Sequence, residues 1–340
     1  MIKTLLFNGP RSIGYSEREE EPLKAGQVRV KTLFSGISHG TEMAMNRGTA
    51  PFLSKKIDPE TGLFVKSDAP AHSYPAASGY ENVGEVVELG ESVTKLNIGD
   101  KVFSHHCHET GYISDERGLI KLEADLAPEL GLFIALTRVA HNGILDARIN
   151  LGETVAVFGL GIVGQLAVQM AKASGAETVI GVDVYEHRLK KAKELGADVI
   201  LNPQTEDVGI KVTKLTSKRG ADVALECSGT YPALHEAIRT VGYNGTVVAL
   251  SYYQGAGTSL YLGEEFHHRR VQIKCSQNGG TDPALSHWTN NRRTEAVVKL
   301  LSKLRLKELI THIYDFEAGA KAYEMVDKHP EEVLFAVLKY

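Results

Sequence analysis

The sequence Gly159-Leu160-Gly161-Ile162-Val163-Gly164 stands between two recognisable elements. Before it runs Thr154-Val155-Ala156-Val157-Phe158, a short apolar stretch of the kind that forms a strand buried on both faces. After it, from Gln165 to Ser174, Leu166, Val168, Met170 and Ala171 are spaced for the buried side of a helix. The order strand, glycine turn, helix has a specific chemistry. Gly159 allows the tight turn, Gly161 lets the backbone approach a ligand, and Gly164 lets the helix pack close to the strand. The first helical residues, Ile162 and Val163, then offer backbone N–H groups and a partial positive charge to an anion. A pyrophosphate fits that description.

A second strand, Thr178-Val179-Ile180-Gly181-Val182, ends in Asp183, about twenty residues past the glycines. A carboxylate there takes the ribose hydroxyls of a dinucleotide and repels a 2′-phosphate, so NAD is expected over NADP. Arg188 and Lys190 either serve a phosphate or form the solvated face of the next helix; Arg188 is counted with the cofactor site. Ser228 and Ser251, each at the end of a later apolar strand, are counted there too.

A second dense stretch is Ser104-His105-His106-Cys107-His108-Glu109. Read as a strand, only alternate residues share a face, so His106 with His108, or His105 with Cys107, are the pairs that converge on a metal. The alternative is the polar wall of a substrate cleft, and His105, His106 and His108 are taken as substrate-binding candidates with no metal.

The elements that position these groups fall into two patterns. Residues 1 to about 130 are β-rich: Val28 to Phe34 alternates, Asn82 to Leu89 is a strand with a turn at Gly90-Glu91, and Gly99-Asp100 turns into Lys101-Val102-Phe103. This predicts a barrel-like antiparallel domain. Between these strands, Asn46 to Ser78 is a long irregular stretch with four prolines, which predicts a lid or binding loop. From residue 128 the chain becomes helical, and strands and helices then alternate to Cys275, as in a doubly wound parallel sheet. The tail predicts a helix over Thr294–Leu304, a strand over Ile310–Tyr314, a helix over Phe316–Lys328 and a last strand over Val333–Leu338 that returns to the first domain. The fold class is therefore α/β: a Rossmann sheet, residues 137–278, inserted into a β-rich catalytic domain, residues 1–136 and 279–340. The substrate is expected in the cleft at the carboxyl ends of the parallel strands.

Composition narrows the function classes. The net charge of −4 gives no footprint for nucleic acid. No apolar run approaches the roughly twenty residues of a membrane span, and the N-terminal stretch reads as a strand rather than a signal peptide. Three scattered cysteines make no disulfide framework and suit a reducing cytoplasm.

Taken together, the chain resembles the medium-chain dehydrogenase/reductase superfamily over nearly its full length, and its alcohol and polyol dehydrogenase branch in particular. The resemblance is carried by Ser35-Gly36-Ile37-Ser38-His39-Gly40-Thr41-Glu42, Gly79-Tyr80-Glu81-Asn82-Val83-Gly84-Glu85-Val86, Gly99-Asp100-Lys101-Val102, the glycine turn and Asp222 to Gly229. Residues 38–48, His267 to Arg270 and Trp288 to Arg293 are similar to a bacteriochlorophyllide dehydrogenase-like subgroup. The resemblance implies a GroES-like catalytic domain, a small-molecule substrate, and a homodimer or homotetramer paired near residues 245–262. In the zinc-bearing branch, Ser38 would be a Cys and Tyr80 a His, and the third ligand would fall at 134–136, here apolar. The four cysteines of a structural zinc lobe are also missing, only Cys107 standing in that region. No zinc is expected, since Zn²⁺ is held by Cys, His or carboxylate in tetrahedral array.

Without the metal, protons must be moved by side chains. By the resemblance, Tyr80 would donate to the substrate oxygen beside Ser38, His39 would relay a proton, and Glu81 would orient Tyr80 or hold a hydroxyl. Glu42 would bind substrate, and Thr41 the nicotinamide ribose. The expected reaction is interconversion of a secondary hydroxyl and a ketone on a sugar or cyclitol with NAD. The alternatives are a reductase of activated C=C bonds, a nucleotide-binding protein without turnover, and a metal enzyme built on the His105–His108 run.

Overall fold

The protein is described by a computed structural model covering residues 1–340. It forms two compact units, one of Met1–Ile134 with Leu306–Tyr340 and one of Ala135–Arg305.

The first unit is built on the long strand Gln27–Ile37. Asn82–Leu89 and Gly111–Asp115 pair with it antiparallel, and so does Ala336–Lys339 from the end of the chain. Lys101–Ser104 and Ile120–Lys121 extend the sheet on one side, and His312–Asp315 on the other. A second, three-stranded sheet holds Ser12–Arg18, Ile2–Gly9 and Ala76–Ala77. Leu5, Phe7, Ile37, Met43, Tyr323 and Leu338 join one core cluster, so the two ends of the chain share a core. The irregular stretch contains a short hairpin, Lys55–Ile57 with Phe64–Lys66.

One register decides which residues meet. Ser35 lies opposite Asn82, and Gly36 N–H donates to Glu81 O at 2.9 Å. Because the strands run antiparallel, the residues just after Ser35 face those just before Asn82. Ser38 is thus brought to Tyr80.

The second unit is a six-stranded parallel sheet in the order Val199–Leu201, Thr178–Val182, Thr154–Phe158, Ala221–Glu226, Val241–Ala249, Gln272–Cys275. Strand alternation splits its core in two: Val155 and Val157 pack into one cluster, Ala156 and Phe158 into the other. Each cluster is roofed by helices, which is the doubly wound α/β arrangement expected.

The expected domain limit at 279 requires correction, because the second unit continues to Arg305. The helix Asn290–Leu301 is tied to it by Arg293, which donates to Asn142 Oδ1 and to the carbonyls of Asn278 and Gly280. That helix also starts four residues before the expected Thr294, because Thr289 caps it by accepting from Arg292 N.

Candidate functional site

In the second unit, the three glycines are needed for three different reasons. Gly159 has φ +80°, and a Cβ there would lie 2.6 Å from Ser228 N. A Cβ on Gly164 would fall on the carbonyl oxygen of Gly159. A Cβ on Gly161 would meet nothing within 4 Å. Gly161 is the N-cap of the helix Ile162–Ala173 and no side chain caps that end. The open space therefore lies in front of the Ile162 and Val163 N–H groups, where an anion binds. Alanine at the two positions should separate these roles. Gly164→Ala is expected to cost about 1–3 kcal/mol of stability by overpacking. Gly161→Ala is expected to stay within about 1 kcal/mol yet weaken dinucleotide binding roughly tenfold or more. Thermal melts and NAD titration check this; equal stability losses would refute it.

Asp183 follows the strand Thr178–Val182 and is almost buried. Its carboxylate accepts from Leu160 N at 2.6 Å and Tyr185 N at 2.9 Å. The acid thus sits against the glycine turn, with Arg188 Nη1 4.0 Å away and stacked over the Tyr185 ring. Gln165, not singled out from the sequence, is fully buried and donates to the carbonyls of both Leu160 and Arg188 at 2.9 Å. It fixes the turn to the first turn of the helix Glu186–Glu194, which follows Asp183. A buried polar residue one position past the glycines was its only sequence signal. Ser228 donates to the buried Glu226 carboxylate, which also takes the Ser228 and Gly229 N–H groups and the Tyr253 hydroxyl. Ser251 Oγ bonds Glu226 O at 3.5 Å. The cofactor residues named from the sequence, Thr41 excepted, lie in this unit, at the carboxyl ends of its strands, in the glycine-turn helix or, for Arg188, in the helix Glu186–Glu194. They fit a dinucleotide.

In the first unit, Tyr80 OH donates to Ser38 Oγ at 2.7 Å. Burial, then the neighbouring Glu81 and Glu42 carboxyl groups, hold the phenol well above its usual range, while the Ser38 and Thr41 hydroxyls pull it down less. Tyr80 is therefore a proton donor, not a tyrosinate. Thr41, exposed at the start of the helix Thr41–Arg47, is part of this hydroxyl group. His39 is half-buried at the turn between strand and helix.

Glu42 does not reach for substrate. It is 4 % exposed, and its carboxylate accepts from Ser38 N at 2.9 Å, Ser78 Oγ at 3.1 Å and the Tyr323 hydroxyl. His108 Nε2 lies 2.9 Å from the same carboxylate. Burial opposes its charge, but His108, Tyr323 and the Ser38 amide together keep the carboxyl below its usual range. His108 is itself 0 % exposed, with Nδ1 2.6 Å from Ser35 Oγ, which bonds the Tyr340 hydroxyl at 2.8 Å. Both ring nitrogens are occupied, so the substrate role expected for His108 is corrected to support. Ser78, Tyr323 and Tyr340 carried no local signal, as they join the network only through long-range packing.

His106 is corrected likewise. It pairs with Glu109 at 3.0 Å and stacks on Tyr112, and Glu109 is held by Arg18. His105 is exposed and its Nδ1 lies 3.2 Å from Tyr80 O, so it alone of the three adjoins Tyr80. The strand ends at Ser104, so strand alternation does not govern residues 105–109. Their side chains diverge. The one trio of ligand-type side chains that does converge is His329, Glu331 and Glu332 on the surface.

Glu81 is the anomaly. It is 0 % exposed and neither carboxylate oxygen has a hydrogen-bond partner. Burial, then the Glu42 charge, raises its carboxyl well above the usual range. A protonated native carboxyl and an ionised unfolded one mean that the native state binds more protons above the ordinary value. Stability from this group is then present at low pH and falls as pH rises, by about 1.4 kcal/mol per unit until the native value is reached. Glu81→Gln, which does not titrate, should gain on the wild type by that slope as pH rises above the ordinary carboxylate value, until the native value is reached. Parallel urea midpoints across that window would refute it.

A zinc ion of the kind held by related folds requires thiolate, imidazole or carboxylate donors. At Ser38 and Tyr80 the chain offers two hydroxyls that bond one another. The His108 ring is engaged on both sides, and burial, then Glu109, pushes the Cys107 thiol up to about 12. These residues do not fit the metal.

Comparison with known proteins followed the same division. The family described as "Alcohol dehydrogenase GroES-like domain" matches residues 24–147, and the one described as "Zinc-binding dehydrogenase" matches 163–301. The D-guloside 3-dehydrogenase of Escherichia coli K12 is 32% identical over 97% of this chain and 98% of its own. The sorbitol dehydrogenase of Halalkalibacterium halodurans is 28% identical over 96% and 95%. The structure of 2R,3R-butanediol dehydrogenase from Bacillus subtilis superposes with a TM-score of 0.81 at 23% identity, covering 100% of both chains.

Proposed function

The chain belongs to the medium-chain dehydrogenase/reductase superfamily, and from that premise we propose that it is an NAD-dependent dehydrogenase that works without zinc. Its reaction is the interconversion of a secondary hydroxyl and a ketone on a sugar or cyclitol. The observation that carries the reading is the hydroxyl pair Tyr80–Ser38, 2.7 Å apart, in the positions where a metal would need a thiolate and an imidazole. The polyol class is supported by the D-guloside and sorbitol dehydrogenases that the chain resembles over nearly its whole length. NAD is supported by Asp183, whose carboxylate would repel a 2′-phosphate.

When bound, the nicotinamide supplies the hydride chemistry. The chain's own residues move the proton. In oxidation, the substrate hydroxyl gives its proton to Tyr80 Oη as Tyr80 passes its own to Ser38 Oγ; Ser38 hands its proton on towards His39. Reduction runs the same path backwards, with Tyr80 donating to the carbonyl oxygen. Glu42 acts at a distance from the substrate, by holding the Ser38 amide in place.

The test begins with protein purified without added metal. Elemental analysis, NAD and NADP titrations, and NADH production on D-gulosides, sugars and cyclitols are run on one sample. Sub-stoichiometric zinc with NADH formation on a polyol supports the proposal. About one zinc per chain, removed by chelator with loss of turnover, sinks the zinc-free mechanism. Tighter binding of NADP than NAD sinks the cofactor assignment.

A further inference from the structure

The second unit holds a cavity on the edge of its sheet that dinucleotides do not use. The volume is about 930 Å³, within the range of small-molecule sites. Its lining includes the starts of two parallel strands, Ala221 to Val223 of Ala221–Glu226 and Gly242 to Thr246 of Val241–Ala249. Ser228 and the glycine turn stand beyond the opposite, carboxyl ends, where such sheets take their dinucleotide. The six-residue strand between them is roughly 17 Å long at about 3.3 Å per residue. A ligand of this cavity is therefore a different molecule from one held at the glycine turn.

The charges of the lining are not evenly matched. All four carboxylates are engaged. Asp282 meets Lys274 Nζ at 2.6 Å and Arg148 Nη2 at 2.7 Å, and Asp146 meets Lys274 Nζ at 3.0 Å. Asp222 Oδ2 accepts from Thr154 N at 2.8 Å, and Glu153 accepts from Asn150 N and Nδ2, both at 2.8 Å. Three cations of the same lining, Lys218, Arg219 and Arg269, pair with no carboxylate. Arg269 Nη1 donates to the carbonyls of Arg239 and Val241 at 3.0 and 3.1 Å, and Arg219 Nε to Thr216 O at 3.3 Å. Each guanidinium is thus fixed through one nitrogen, and its other N–H groups are left for a further acceptor. A forked pair of such donors matches the oxygens of a phosphate.

Tyr243, also in the lining, is held between two of these cations by its backbone neighbours. On one side Gly242 is pressed onto the Arg219 loop: a Cβ on Gly242 would fall on the Arg219 carbonyl oxygen, and one on Gly220 would lie 2.6 Å from Gly242 N. On the other side Asn244 N donates to Arg269 O at 2.8 Å, and Arg270 Nε donates to Asn244 Oδ1 at 3.1 Å. Lys218 and Asn244 hold φ at +71° and +59°, the left-handed region that residues with side chains seldom adopt. The Tyr243 side chain itself is 66 % exposed. A fixed loop with an open aromatic face beside unpaired cations offers a stacking surface to a base whose phosphates the cations hold.

We propose that this cavity binds a nucleoside diphosphate or triphosphate, its phosphates on Lys218, Arg219 and Arg269 and its base against Tyr243. The site lies wholly within Ala135–Arg305 and is independent of the dehydrogenase reading above. The chain as a whole carries −4, so the attraction for a polyanion is local to this cavity.

The experiment is calorimetry on the full chain saturated with NAD, so that the glycine turn is filled. ADP and inorganic pyrophosphate are the two probes. Both are expected to bind. Replacing Lys218 and Arg219 together by Gln should weaken both probes roughly tenfold or more. Tyr243→Ala should weaken ADP roughly fivefold or more and leave pyrophosphate unchanged. NAD affinity should stay the same in every variant, which checks that each is folded. No ADP binding, ADP binding that excess NAD abolishes, or binding that survives the Lys218 and Arg219 replacements overturns the inference. So does a Tyr243→Ala variant that binds ADP as the wild type does, or that loses both probes equally. If NAD itself does not bind, the cofactor assignment falls, and the same comparison of probes and variants still decides this site.

Discussion

Replacing Tyr80 with phenylalanine is expected to lower kcat on a confirmed polyol by about 10²–10³-fold, with KM and NAD affinity nearly unchanged. The size is that of removing one oriented donor from a developing oxyanion. The direction follows from the chemistry of the site. Tyr80 keeps its proton because burial, then the neighbouring Glu81 and Glu42 carboxyl groups, oppose its loss, so in the proposed reaction it is the donor in reduction and the first carrier in oxidation. Its ring stays, so binding stays, and the loss falls on kcat. Steady-state kinetics at saturating NAD is the measurement. Near-full turnover in the variant would mean that the substrate oxygen is served by another group.

Glu42→Ala is expected to destabilise the protein by several kcal/mol, since each buried donor left without an acceptor costs about 1–3 kcal/mol. His108, Tyr323, Ser78 and the Ser38 amide all lose an acceptor at once. The carboxyl is held below its ordinary value, so its contribution is present above that value, near 4.3 for a free Glu, and is lost as pH falls through the native one. The gap between wild type and variant should therefore narrow in acid. A double-mutant cycle with His108→Leu separates pair from parts: the double variant should lose less than the sum of the singles. Strict additivity would show that the two side chains act independently. Denaturant unfolding at pH 7 and pH 4 measures both effects.

The second unit was legible because its signals are local. Val155 and Val157 against Ala156 and Phe158 mark a strand buried on two faces. The glycines at 159, 161 and 164 each answer a need of the backbone within a few residues or against the next strand end. The first unit was half legible. Ser38 and Tyr80 were paired by resemblance, and the register of Ser35 on Asn82 gives the physical cause. That register is a property of two strands forty-odd residues apart, which alternation in either one does not reveal. The histidines show the cost of extending a pattern past its element. His106 and His108 were read as neighbours on a strand, yet the backbone leaves the sheet at Ser104 and sends one ring to Tyr112 and the other to Ser35. Arg293 entered only as the end of a stretch of resemblance, because nothing in a helix-forming sequence marks an arginine that will be buried without an acid.

The shared core of the chain's two ends sets an order of events in the cell. A ribosome releases residues 135–305 as one continuous stretch, so the parallel sheet has all its strands before residues 306–340 exist. Meanwhile Gln27–Ile37 has only part of its sheet: the edge later covered by Ala336–Lys339 is bare, and His108 lacks Tyr323 beside it. A bare strand edge is open to pairing with other chains, and domains completed late in synthesis are exposed to that hazard longest. The nascent protein is thus expected to gain its parallel-sheet unit well before the unit that holds Tyr80 and Ser38, and a chain that lacks residues 306–340 would be an intermediate with the first complete and the second open at its edge.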